Sequence, residues 1–196
     1  GDDSLASLVT YTTSDNVENL ILLGNEEIDA TGNELANYLA GNSSNNSIIG
    51  LAGDDFIDGG GGGDDMQGGD GNDTYIVDNI ADIVTEGKDA GNDLIKSSVS
   101  YNAPTNVENI TLTGDGLTSA IGNEIGNSLI GNDSANLLSG GDGNDSLNGS
   151  GGDDTLYGGA GEDIIVMSSG RDEVMDFNIN EGDKIGISST NSELPI

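Results

Sequence analysis

Aspartate returns every nine residues in two stretches of this chain: Asp55, Asp64 and Asp73 in the first, Asp145, Asp154, Asp163 and Asp172 in the second. Each ends a six-residue turn, as in Gly140-Gly141-Asp142-Gly143-Asn144-Asp145. Carboxylates and the outward carbonyls of glycine-rich turns are hard oxygen donors. Where such turns stack, they form a cage of the kind calcium takes, with about 6–8 oxygens at roughly 2.3–2.6 Å. Stacked carboxylates repel one another without a cation, so folding and metal binding are expected to be coupled. Other chemistry is closed off. His and Cys both number 0, which removes disulfides, thiol nucleophiles, histidine acid–base catalysis and the usual zinc sites. Lys and Arg total 4 against 36 Asp and Glu, a net charge of -32. A nucleic-acid interface needs a basic footprint, and an anionic membrane surface attracts one.

The elements that position these aspartates follow from internal repetition. Asn16-Val17-Glu18-Asn19 returns as Asn106-Val107-Glu108-Asn109, and 106 − 16 = 90. The same offset carries Tyr11 to Tyr101 and Asp73 to Asp163. Within each copy Gly32, Gly41, Gly50, Gly59 and Gly68, and then Gly122, Gly131, Gly140, Gly149 and Gly158, recur every nine residues. Each block reads as a tight turn followed by a three-residue strand with one inward side chain. The inward positions are Leu39, Ile48, Ile57, Met66 and Tyr75, then Leu129, Leu138, Leu147, Leu156 and Ile165. Two blocks make one 18-residue coil of an all-β solenoid, with turns alternating between two edges. The chain divides into a first ten-block unit, 1–90, a second, 91–180, and 181–196 as a third copy's opening or an end cap, all in one continuous stack. Segments 1–22 and 95–112 read as longer strands. Glycine numbers 33 of the 196 residues and aromatics are 4%, a composition expected to stay disordered without a neutralising cation. No apolar run reaches the roughly 20 residues of a spanning helix. No Sec-type leader opens the chain, and its first residue, Gly1, reads as that of a fragment or processed product.

The blocks Gly50 to Asp55, Gly59 to Asp64, Gly68 to Asp73, Gly140 to Asp145, Gly149 to Asp154 and Gly158 to Asp163 resemble the GGxGxDxUx nonapeptides of the RTX (repeats-in-toxin) proteins. The resemblance implies a right-handed parallel β-roll, several calcium ions, export by type I secretion machinery and folding outside the cell. It also implies a ligand set. The earlier turn of a pair supplies the carbonyls of positions two and four, the later turn those of positions one and three, and both supply Asp. Carried over, one site uses Leu51, Gly53 and Asp55 with Gly68, Asp70 and Asp73. A second uses Gly141, Gly143 and Asp145 with Gly158, Ala160 and Asp163. On the other edge Ser150, Gly152 and Asp154 pair with Met167, Ser169 and Asp172. Asp64 lies over Asp82, although the turn Val77 to Asp82 lacks the glycines.

The chain also departs from the pattern. Asn37, Asn46, Asn127 and Asn136 stand at position six, where a neutral amide is a poor calcium ligand. Those turns are expected to be held by side-chain hydrogen bonds, with weak calcium or none. Glu86 to Asp93 adds two residues to the nine-fold register, so the coil bulges there, and Asp93 could close another site. Asp54, Asp65 and Asp153 read as solvated, Glu18 and Glu108 as simple caps or a second kind of ligand, with the cap favoured, and Lys88, Lys96, Arg171 and Lys184 as local charge relief. Phe177 and Ile185 would cover the open end of the core.

No carboxylate pair stands outside the repeat logic, so catalysis is not expected. The expected function is a calcium-binding structural module of a larger secreted or cell-surface polypeptide, such as an adhesin or toxin. The alternative is an accessory module of a secreted protease, lipase or alginate epimerase, which a catalytic domain upstream in the full-length gene would reveal. A glycan- or ice-binding face ranks last, because the asparagine turns form only a short row.

Overall fold

The computed structural model describes residues 1 and 3–188, and the part of the third-copy segment from 189 to 196 lies outside the described residues. Two compact units are present: Gly1–Lys96 with Pro104–Val107, and Ser97–Ala103 with the residues from Glu108 onward. Every described element is a strand, and no helix among the described residues is long and apolar enough to cross a membrane.

In the first unit the strands are β1 (Ser4–Ser7), β2 (Tyr11–Thr12), β3 (Asn19–Leu22), β4 (Ala30–Thr31), β5 (Tyr38–Ala40), β6 (Ser47–Ala52), β7 (Phe56–Asp58), β8 (Asp65–Asp70), β9 (Thr74–Val77), β10 (Ile83–Thr85) and β11 (Leu94–Ser97), the last running to the unit boundary. Odd strands follow one another in one parallel sheet, even strands in a second. The second unit has β12 (Tyr101–Asn102), β13 (Asn109–Leu112), β14 (Ser119–Ile121), β15 (Ser128–Ile130), β16 (Leu137–Asp142), β17 (Ser146–Asn148), β18 (Thr155–Ala160), β19 (Ile164–Met167), β20 (Glu173–Val174) and β21 (Lys184–Ile187). It repeats the arrangement, with the orders β13-β15-β17-β19-β21 and β12-β14-β16-β18-β20. Each unit is a parallel β-solenoid.

The register makes the core. Leu39 pairs with Ile57 and Ile57 with Tyr75; Leu129 pairs with Leu147 and Leu147 with Ile165. Ile48 lies on Met66, and Leu138 on Leu156. All ten expected inward positions are buried. A strand period of two turns their neighbours outward, so one apolar residue per strand suffices. The repeat in the turn ladder is 18 residues from Asp55 to Asp73 and 20 from Asp73 to Asp93, which is the expected bulge. The same widening recurs between Asp163 and Asp183.

The expectation of longer strands in 1–22 and 95–112 holds only in part: β1, β3, β11 and β13 have four residues against three in β5, β7, β15 and β17, but β2 and β12 have only two. Serine side chains end β1 and β11. Ser7 Oγ donates to the Val9 carbonyl at 2.7 Å and accepts the Val9 N–H, and Ser97 does the same at Val99. Such local bonds compete with the ladder and turn the chain. Ile185 stacks in register over Ile165 but is itself 48% exposed, and Phe177 is 42% exposed.

Candidate metal centre

The consensus turns lie directly between paired strands. β6 and β8 hold Leu51 against Gly69 and Ala52 against Asp70, so turn Gly50 to Asp55 stacks under turn Gly68 to Asp73. The Leu51 and Gly53 carbonyl oxygens rise to the points where side chains on Gly69 and Gly71 would begin. The Gly68 carbonyl oxygen comes down to 2.7 Å from the place of a Cβ on Gly50, and Asp55 Oδ2 occupies that same place. Any side chain at Gly50 would therefore fill the space into which these oxygens point. Asp73 Oδ1 accepts the Asp55 N–H at 2.7 Å, and the Asp70 carbonyl accepts the Gly53 N–H at 2.8 Å. The Asp70 side chain is exposed, so only its backbone faces the neighbouring turn.

The second unit repeats this arrangement. The Gly141 and Gly143 carbonyl oxygens meet Gly159 and Gly161, and the Gly158 carbonyl and Asp145 Oδ2 crowd Gly140. Asp163 Oδ1 accepts the Asp145 N–H at 2.9 Å, and the Ala160 carbonyl accepts the Gly143 N–H at 2.8 Å. On the other edge Asp154 Oδ2 lies against Gly149 and the Gly152 carbonyl oxygen meets Gly170. The Ser150 carbonyl accepts the Ser169 N–H at 3.4 Å, and Asp172 Oδ1 accepts the Asp154 N–H at 3.3 Å. This turn pair is looser. Asp172 Oδ2 accepts the Ser168 N–H, and the Met167 carbonyl accepts the Ser188 N–H. Asp64 Oδ2 lies beside Gly59, and Asp82 Oδ1 accepts the Asp64 N–H at 3.1 Å, while Asp82 Oδ2 caps its own turn at Asp78 and Asn79.

Each consensus aspartate thus spends one oxygen on the N–H of the turn below and keeps the other for the interlayer space. Oδ2 of Asp55, Asp64, Asp73, Asp145, Asp154 and Asp163 is buried with no hydrogen-bond donor from the protein. A buried unsatisfied acceptor costs about 1–3 kcal/mol and more when charged. Six of them rival the whole net stability of a domain, about 5–15 kcal/mol. Burial pushes the Asp55 carboxyl up to about 7, with Asp73, Asp54 and Glu86 adding repulsion. Burial likewise raises Asp64, Asp73, Asp145 and Asp154 to about 6. Orphaned carboxylate oxygens and converging carbonyls, with no nitrogen or sulfur donor, fit a hard divalent cation of calcium's size.

The RTX calcium-binding nonapeptide repeat (4 copies) matches residues 31–66, 40–75, 121–155, 130–165 and 139–174. These windows overlap into 31–75 and 121–174, half of the chain. The chain belongs to the RTX calcium-binding repeat family. No curated protein matches it. The RTX β-roll is a structural calcium-binding fold, and this chain is a calcium-binding module of that kind.

The asparagine turns of this RTX module are closed by their own side chains. Asn37, Asn46, Asn127 and Asn136 each accept, through Oδ1, the N–H of position two in the same turn, at 2.7–2.8 Å. Their Nδ2 groups donate to carbonyls of the coil below: Asn46 to Ile28 at 2.5 Å, Asn136 to Thr118 at 3.1 Å and Asn127 to Glu108 at 3.2 Å. The amide donor takes the place in which a cation would gather those carbonyls.

An outer ladder was not legible beforehand. Asp54 and Asp153 are exposed, as expected of solvated residues, yet Oδ1 of each accepts the N–H of Asn72 and Arg171 in the next turn. Glu18 caps the Asp3 N–H at 2.7 Å, and Lys184 approaches Glu162 at 3.7 Å on the surface. Sequence reasoning also missed the acid at the first position of the widened turn. Glu86 is buried beside Tyr75, whose hydroxyl donates to Glu86 Oε1 and accepts the Gly68 N–H at 2.6 Å. The 90-residue offset could have found it, because Glu86 maps onto Asp176. Asp176 itself accepts the N–H groups of Gly158 and Gly159 at 2.9 and 3.0 Å.

Proposed function

We propose that this chain is a calcium-folded structural segment of a larger secreted or cell-surface protein, disordered before export and folded on meeting extracellular calcium. The observation that carries the reading is the contrast between turn types. Asparagine turns are satisfied by their own amides, whereas consensus aspartate turns leave buried carboxylate oxygens without donors. Bound calcium supplies the positive charge those oxygens lack. Within this reading Leu51, Gly53, Asp55, Gly68, Asp70 and Asp73 hold one ion. Gly141, Gly143, Asp145, Gly158, Ala160 and Asp163 hold another, and Ser150, Gly152, Asp154, Ser169 and Asp172 a looser one. Asp64 contributes to a further site. A metal-free chain of charge -32 stays unfolded and threadable, which suits type I secretion. Extracellular calcium modules bind in about the 10⁻⁴–10⁻³ M range, so folding would wait for the outside. The deciding experiment is far-UV circular dichroism titrated with calcium from a chelated start, with magnesium as control. A disordered spectrum turning to β with calcium alone supports the reading. A β spectrum indifferent to chelation overturns it.

A further inference from the structure

The first two turns on one edge of the first unit form an open cavity of about 320 Å³, at the small end for a ligand pocket. Thr13, Asp15, Asn33, Glu34, Leu35 and Leu51 are among the residues that line it, and none of the lining residues is aromatic or cationic. Asn33 ties the turns together. Its Nδ2 donates to the Ser14 and Val17 carbonyls at 2.8 Å each, and its Oδ1 accepts the Leu35 N–H at 2.9 Å, so this amide is spent on structure.

Two local costs meet at this cavity. Thr13 is 7% exposed, and its hydroxyl oxygen is buried without a hydrogen-bond partner. Leu51 has φ 91°, a conformation that suits glycine, and holds a half-exposed leucine there. The fold needs neither. The 90-residue offset places Ala103 and Gly141 at these positions in the second copy, and Thr105 at that of Asp15. Backbone strain and unmet polar groups that a repeat does without elsewhere are the marks of a binding site. Asp15 and Glu34 stand exposed at the rim, and among the described residues neither has a cation within ion-pair distance.

We propose that this cavity binds a primary alkylammonium group, carried by a small free amine or by a lysine side chain. Leu35 and Leu51 flank the aliphatic stem, and Asp15 and Glu34 meet the charge. An ammonium has three donors and no acceptor. The cavity offers the matching set, two carboxylates and the Thr13 hydroxyl. An anion would be repelled by the same two acids, and a sugar ring would find no aromatic face to stack on. The site needs only the folded chain, so it stands or falls separately from the identity of the ion that folds it.

The test follows backbone amide NMR shifts of the whole chain in saturating calcium at physiological ionic strength. The probes are n-butylamine, for a free amine, and acetyl-lysine amide, for a lysine side chain. The controls, n-butanol and ammonium chloride, carry the stem and the charge separately. Either amine is expected to give saturable shifts at residues 32–35 and Leu51, and not at their counterparts 122–125 and Gly141. The tighter of the two probes names the source. Asp15→Thr and Leu51→Gly install the second copy's residues and should each weaken binding about tenfold, through loss of a charged contact or of an apolar wall. Far-UV dichroism reports the fold, and if Leu51→Gly does not fold, Asp15→Thr and Glu34→Gln decide. The site is overturned by an absence of shifts, by shifts spread over both copies, by equal shifts with either control, or by unchanged affinity in a folded Asp15→Thr.

Discussion

At the scale of single residues, the two copies act as controls on each other. Leu51 occupies position two of its turn with φ 91°, where the equivalent Gly141 has φ 108°. Left-handed backbone costs a side-chain-bearing residue about 1–2 kcal/mol. Leu51 is 41% exposed, so little packing would be lost with its side chain. Leu51→Gly should therefore stabilise the calcium-loaded chain by about 1 kcal/mol, read as a higher thermal midpoint in saturating calcium. A lower midpoint would show that the leucine packs more than it strains. Asp145 offers the reverse exchange. Asp145→Asn brings the amide that closes the asparagine turns, whereas Asp145→Ala brings nothing and strands the Asn127 N–H, which Asp145 Oδ1 accepts at 2.7 Å. Both variants should bind fewer ions. In saturating calcium the alanine variant should be about 1–3 kcal/mol less stable than the asparagine variant, because only it leaves that N–H stranded. Equal behaviour of the two in calcium titration and denaturant unfolding would show that Asn and Asp turns do not share one geometry.

At the scale of strands and turns, the inward positions were legible because their signal is strict. One apolar residue recurs every nine, and a slip by one residue would turn it to solvent. Leu147 in β17 shows this. It sits between Leu129 and Ile165 in register and is fully buried, while its neighbour Asn148 is only partly so. Leu147→Ala should cost about 2–5 kcal/mol and raise the calcium midpoint for folding. Asn148→Ser should move neither by much, and parity between the two would refute the assigned period. The turns were legible at their aspartates for the same reason of recurrence. What stayed hidden depends on side-chain reach rather than spacing. Ser7 and Ser97 break strands through bonds two residues along, which no apolar pattern records. Tyr75 reads as a core residue by position, but its length carries the hydroxyl out of the core to Gly68 and Glu86. Asp54 and Asp153 read as solvated by position, yet each tethers the next turn through one oxygen.

At the scale of the whole molecule, the charge of -32 sets the terms on which the fold exists. The buried aspartates titrate far above their ordinary value of 3.8 when no metal is present, with Asp55 near 7 and Asp64, Asp73, Asp145 and Asp154 near 6, chiefly because of burial. An acid whose folded pKa is raised binds its proton more tightly folded than unfolded. Its stabilising contribution is complete below about 4 and is lost as pH rises through 6 to 7. The metal-free fold is thus weakest at and above neutral pH, where the uncompensated anions also repel across the chain. Protons and calcium relieve the same oxygens, so each should substitute for the other and compete with it. In metal-stripped buffer the chain should be disordered at pH 7.5 and gain β signal by pH 5. With calcium present, the midpoint of the calcium titration should move to higher concentration as pH falls from 7.5 to 5.5. Circular dichroism at the two pH values, with and without calcium, reads both effects. A metal-free spectrum that stays disordered at pH 5, together with a calcium midpoint indifferent to pH, would mean that the anionic oxygens of these turns are not what calcium neutralises.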